Sequence, residues 1–302
     1  MKRENLIGHH EFILSDPFIA KSIGFNNVII QATCEDEQWI EETTRRIGEW
    51  RGIFRSAYIK WAISINGLYV ANEKYATKKD DASFAFNIQS LRKGNNGGEL
   101  VTIAQWDAEK SAKVHLDAVP MICTYGFTDL YNCLEEFVFD FYRIYWKYNP
   151  ENLIKGPEFR HLRKLRNEAN ISVESRQKWQ EAFEERLDNW QRNKLYDNLG
   201  KVFLSYCKET GIKKPKSYTL STPETWAESI RGISIVRNSI VHGVKKVTKE
   251  LADFCTEPYS LGFGFEEGKE LKIGTARLQM LEVFTDQLLT SINMSLVEKV
   301  RD

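Results

Sequence analysis

The sequence predicts a mainly α protein: a helical bundle with a small C-terminal β-hairpin and minor N-terminal strands. Three observations carry this. Apolar residues recur at helical spacing through Ile40, Ile47, Trp50, Phe54, Tyr58, Trp61, Ile65 and Leu68. Phe127, Leu130, Leu134, Phe137, Phe141, Ile144 and Tyr148 alternate steps of three and four, the pattern of a bundle or dimer seam. Helix punctuation also stands where such helices need it, as with Lys208 in a last turn and Gly211 just beyond.

Taken in order, Asn27–Gln31 is a short strand candidate, and Thr33 can cap a long helix opening at Glu35-Asp36. Lys78–Asp81 ends that region, and Gly94-Asn95-Asn96-Gly97-Gly98 is the clearest loop. Leu100–Ile103 is a brief strand candidate, and a boundary near residue 106 divides the chain into an N-terminal region, 1–105, and a helical domain, 106–302. Asp107 caps the next helix, and Pro120 is expected to start another, the one carrying the Phe127–Tyr148 seam. A long helical region runs from about Glu174 to Thr210. Thr222-Pro223-Glu224 opens a helix with Trp226, Ile230, Ile233, Val236, Ile240 and Val244 at near-helical period. Tyr259–Phe265 alternates, Glu266-Glu267-Gly268 turns and Leu271-Lys272-Ile273 returns, a hairpin signature. A last helix carries Leu281, Phe284, Leu288, Ile292 and Leu296 and is expected to close the bundle against the seam helix.

Composition restricts function without choosing one. The chain has 302 residues, no formal net charge and 12% aromatic residues, so any nucleic-acid binding must come from local patches and not from a global field. Cys34, Cys123, Cys133, Cys207 and Cys255 are odd in number and form no C-x-x-C pair, which points to reduced thiols in a cytoplasmic compartment and not to disulfides or zinc. No apolar run is long enough to predict a membrane span, and no phosphate-binding glycine loop, G-x-S-x-G or H-E-x-x-H is found. No metal or other cofactor is expected.

The stretch Ile235-Val236-Arg237-Asn238-Ser239-Ile240-Val241-His242-Gly243 places an Arg and a His five residues apart in a helical segment. A guanidinium grips phosphate bidentately and an imidazole moves protons near neutral pH, so the pair suits metal-free phosphodiester chemistry. Spacing alone is a weak signal. Arg3 stands similarly before His9 and His10 at the chain terminus, and no His follows Arg166-Asn167 at a suitable spacing; neither pair marks a site. On an ideal helix five residues rise about 7.5 Å and turn about 140°. Arg237 and His242 therefore do not cluster on one face, and a working site calls for a bend or a second copy of the helix. Gly243 marks either a helix end or a bend, with Val244–Val247 able to continue.

This segment resembles the active-site helix of HEPN-domain ribonucleases, whose signature is Arg, four to six residues, then His, commonly with a polar residue after the Arg. Arg237 and His242 take the signature positions and Asn238 the polar one. The resemblance spans roughly the C-terminal two-thirds of the chain and is sharp at the motif. It implies an all-helical fold, a homodimer through the 223–247 helix, and cleavage of RNA without metal to a 2′,3′-cyclic phosphate and a 5′-hydroxyl. It also implies membership of a toxin–antitoxin or anti-phage system, with an antitoxin or sensor protein as a further partner. Glu135 resembles the acidic residue that sits near the active-site Arg in that family; a solvated carboxylate is the other reading. Lys245, Lys246 and Lys249 after the motif, and Lys213 and Lys214 before its helix, are the expected RNA-positioning cations. Lys155, Arg160, Arg163, Lys164 and Arg166 form the densest basic cluster and are read as a solvated helix face. A non-catalytic helical adaptor that uses its aromatic seam for protein partners is the alternative.

Overall fold

The computed structural model describes residues 27–94 and 97–301. Arg3, His9, His10 and the loop residues Asn95-Asn96 lie outside them. The described residues form eight α-helices and one two-stranded antiparallel sheet, so the mainly α expectation holds. The helices are α1 (Gln38–Ala76), α2 (Ala108–Tyr148), α3 (Arg160–Glu168), α4 (Val173–Lys194), α5 (Leu199–Thr210), α6 (Pro223–Val241), α7 (Lys249–Phe254) and α8 (Thr275–Arg301). Strands β1 (Phe86–Gly94) and β2 (Gly97–Trp106) join α1 to α2.

Helix α2 is the axis of the bundle. It packs against α1, α5, α6 and α8, while α5 also packs on α6 and α3 on α4. The seam residues Phe127, Leu130, Leu134, Phe137, Phe141 and Ile144 are buried within this one chain. Leu281, Phe284, Leu288, Ile292 and Leu296 of α8 are buried with them, closing the bundle as the apolar period requires. One continuous core also takes in Trp39, Ile47, Trp50 and Phe54 of α1, so side chains from both sides of residue 106 share it.

Several local signals act as expected. The Asp107 carboxylate accepts from the Lys110 N–H at 2.8 Å and caps α2. Thr222 and Thr225 form a reciprocal capping box at the start of α6, with Pro223 at its first position. Gly211 ends α5 in the left-handed conformation.

Four local expectations fail, each for a physical reason. Asn27–Gln31 belongs to no sheet among the described residues, because helix side chains take its backbone groups. The Asn293 amide accepts from Val28 N–H and donates to Val28 C=O, and Thr44 Oγ1 accepts from Ile30 N–H. Thr33 does not cap a helix: its N–H and hydroxyl both donate to Glu37 Oε2, and a 3-10 turn, Glu35–Glu37, precedes α1. Pro120 lies inside α2 and does not start it; the burial of the long apolar stripe on both sides outweighs the lost i→i−4 bond. The region from Glu174 to Thr210 is helical as expected, in two helices that divide where Asn198 turns its side chain onto the Gly200 N–H to cap α5.

The C-terminal hairpin is also absent. Leu261, Gly262 and Gly264 have φ of 58°, 66° and 61°, which breaks the pleat that Tyr259–Phe265 would need. The returning residues pair elsewhere. Val247 N–H donates to Lys269 C=O, Gly268 N–H to Val247 C=O, and Leu271 N–H to Lys245 C=O. The sheet among the described residues is instead β1–β2, around the predicted Leu100–Ile103 strand. No helix among the described residues is long and apolar enough to cross a membrane.

Candidate active site

Gly243 decides where the motif helix stops. Its φ is 66°, its N–H donates to Ile240 C=O at 3.0 Å, and Val244 N–H donates to Ser239 C=O at 2.9 Å. These two bonds form a Schellman motif, which satisfies the last carbonyls of α6 and turns the chain away. Val244–Val247 therefore leaves the helix instead of extending it, and His242 is the C-cap residue with φ −84° and ψ 5°.

Arg237 and His242 point to different surroundings, as the five-residue offset requires. Arg237 is half-buried and faces α2. Its guanidinium carbon lies 5.3 Å from the Tyr131 ring centre, its Nη1–H donates to Asn238 Oδ1 at 3.1 Å, and its Nε is buried with no hydrogen-bond partner among the described residues. His242 and Asn238 are exposed. The outer face of α6 carries Arg231, Ile235, Asn238 and His242 at steps of four, three and four, a continuous strip along the helix.

The α2 side of the site consists of Tyr131 and Glu135, one turn apart on one face. Ser234 Oγ of α6 lies 3.3 Å from the buried Tyr131 hydroxyl and 2.9 Å from Ile230 C=O, its one proton shared between the two oxygens. Burial raises the phenol pKa of Tyr131, and the Ser234 hydrogen bond opposes it. Glu135 is half-buried. Burial raises its carboxyl pKa above the ordinary glutamate value, while the charge of Arg237 and a hydrogen bond from Tyr131 pull it down and the neighbouring Glu136 adds to the rise. Tyr131, Glu135, Ser234 and Arg237 thus form one coupled polar cluster between α2 and α6. Tyr131 and Ser234 were not singled out by the sequence, although Tyr131 one turn before Glu135 and Ser234 one turn before Arg237 share their helix faces.

The lysines divide. Lys245 and Lys246 are exposed just beyond the Schellman turn. Lys249 is engaged with Asp253, at 2.8 Å. Lys213 and Lys214 are exposed in the loop before α6, and the Lys213 N–H donates to Ser295 Oγ. Fifteen residues of helix, about 22 Å, separate the α6 N-cap from Arg237, so these two lysines stand at the other end of the motif helix. Members of the 155–166 basic cluster serve the fold: Arg163 donates to Ile154 and Gly156 carbonyls, and Arg166 pairs with Glu151. Among the described residues, no group of three or more His, Cys, Asp or Glu side chains could hold a metal ion.

Comparison of the chain with protein-family models, curated proteins and solved structures finds no match.

Proposed function

We propose that this protein is a metal-independent endoribonuclease of HEPN type, acting as a toxin or anti-phage effector. The observation that carries the reading is the split environment of the motif. The Tyr131 ring lies against Arg237 and the Glu135 carboxyl acts on its charge from α2, while Asn238 and His242 stay open on the outer face of α6. A guanidinium positioned by a ring and an amide is suited to stabilising charge on phosphoryl oxygens. An exposed imidazole on a helix end is free to exchange protons with a substrate.

In one chain the two groups diverge, so the reading includes a homodimer in which two α6 helices meet along the Arg231–Ile235–Asn238–His242 strip. One His242 then removes the 2′-hydroxyl proton of RNA. The 2′-oxygen attacks phosphorus, the bond to the 5′-oxygen breaks, and the second His242 protonates that leaving oxygen. The products are a 2′,3′-cyclic phosphate and a 5′-hydroxyl. The Arg237 pair stabilises the phosphorane, Asn238 orients Arg237, and Lys245 and Lys246 contact neighbouring phosphates. An antitoxin or sensor protein would cover or assemble this face.

A non-catalytic adaptor is the second reading, favoured by the exposed apolar side chains of the β1–β2 hairpin, among them Leu91, Leu100 and Ile103. Incubating the purified protein with total RNA in EDTA separates the two. Cleavage to cyclic-phosphate ends, lost in His242→Ala, is expected; a dependence on magnesium or manganese, or unchanged cleavage by the variant, removes the ribonuclease mechanism.

A further inference from the structure

A cavity of about 620 Å³ opens on the N-terminal half of α6, between that helix, α8 and the 258–261 loop. Its size falls within the range of small-molecule sites. Tyr218, Trp226, Tyr259 and Phe284 supply four aromatic walls, Ser229 a hydroxyl and Gln287 an amide, and among the described residues no Asp, Glu, Lys, Arg or His lines it. The wall is built at a cost: Leu261 is the one non-glycine residue with positive φ among the described residues, and it lines the cavity. Leu220, also lining it, leaves 88% of its surface exposed at the mouth.

The helix terminus beside the cavity is closed to anions. The Thr225 N–H is taken by Thr222 Oγ1, Pro223 has no N–H, and Glu224 places a negative charge in the first turn. A phosphate entering here would leave water and find no cation. Aromatic walls favour a flat ring, and an amide offers one donor and one acceptor to a heterocycle edge.

From the uncharged aromatic lining and the capped helix end, we propose that this cavity binds a neutral nucleobase with its sugar: a nucleoside, without phosphate. The base can come from a free nucleoside or from an unpaired position in an RNA strand. The site does not rest on the ribonuclease reading. Trp226 and Ser229 lie about two to three turns before Arg237 on α6, so Arg237→Ala is a control that leaves the cavity intact.

The test is calorimetric titration of the full chain with adenosine, guanosine, cytidine and uridine and with their 5′-monophosphates. At least one nucleoside is expected to bind with Kd at or below about 1 mM. Its monophosphate should bind at least about tenfold more weakly, because the phosphate is desolvated without a partner. Ser221 also lines the cavity, so Ser221→Trp and Gln287→Leu should each weaken binding about tenfold or more, and Arg237→Ala should not change it. A short single-stranded oligonucleotide of the same base that competes for the site marks a strand as the source; one that does not marks the free nucleoside. No binding by any of the four nucleosides, equal binding of the monophosphate, or undiminished binding by folded Gln287→Leu overturns the proposal. Gln287 is exposed at the mouth, so that variant tests the site even where Ser221→Trp does not fold.

Discussion

The Arg237 guanidinium lies over the Tyr131 ring, 5.3 Å from its centre, and joins α6 to α2 across 106 positions of sequence. A cation over a ring face is worth about 0.5–2 kcal/mol. The Tyr131 hydroxyl adds a hydrogen bond from Ser234. Tyr131→Phe keeps the ring over Arg237 and gives up the hydroxyl's hydrogen bonds with Ser234 and Glu135, and it is expected to lower RNA cleavage less than loss of the ring does. Tyr131→Leu removes the ring and should lower cleavage about tenfold. Single-turnover rates of the two variants check this; equal rates would show that the ring does not position Arg237.

Glu135 makes stability depend on pH in a known direction. Its folded pKa is raised by burial, so the folded state holds a proton that the unfolded chain releases earlier. Stability is therefore full below the ordinary glutamate pKa and declines as pH rises through the folded value. Glu135→Gln should be at least as stable as the parent near neutral pH and should match it at low pH. Arg237→Met removes the charge that opposes the rise and should move the Glu135 titration further up, read by carboxyl-carbon NMR. A downward move would show that the two groups do not interact.

His242→Ala should cut RNA at least about a hundredfold more slowly, the low end for losing a general acid–base group. Its melting temperature should stay near the parent's. The imidazole is exposed and makes no hydrogen bond among the described residues, and such substitutions usually stay within about 0.5 kcal/mol. Melting curves beside cleavage rates decide; a large drop in melting temperature would assign His242 to the fold.

Gly243→Ala tests the helix stop. A Cβ there meets no atom of the described residues within 4 Å, so the cost is backbone strain at φ 66°. A loss of about 1 kcal/mol is expected in urea unfolding, with a smaller loss for Gly243→Asn, which tolerates the left-handed region. Equal stability of parent and Ala variant would mean that the Schellman turn does not hold in solution.

Gly200 sits where α5 crosses α6. A Cβ at this position would come within 2.3 Å of the Ala227 carbonyl oxygen, and backbone cannot step aside as a side chain can. Gly200→Ala should cost about 1–3 kcal/mol by overpacking, measured by the same denaturant titration. Because α6 carries Arg237, the variant should also lower RNA cleavage.

The sequence by itself determined the helices, because apolar period and caps are local: the α2 stripe, the Asp107 cap, the Thr222-Pro223 start and the Gly211 stop all act at the positions that carry them. It also placed Arg237, Asn238 and His242 on one helix and set the angle between them, since helix geometry follows from residue number. Only the tertiary structure decided what those residues face. Tyr131 and Glu135 reach Arg237 from a helix about a hundred residues away, a proximity set by how α2 and α6 pack. Long-range pairing also decided the strands. Lys269–Leu271 found its backbone partners at Lys245–Val247, and Val28 found its own in the Asn293 side chain, because each buried N–H and C=O takes whichever partner packing brings within reach.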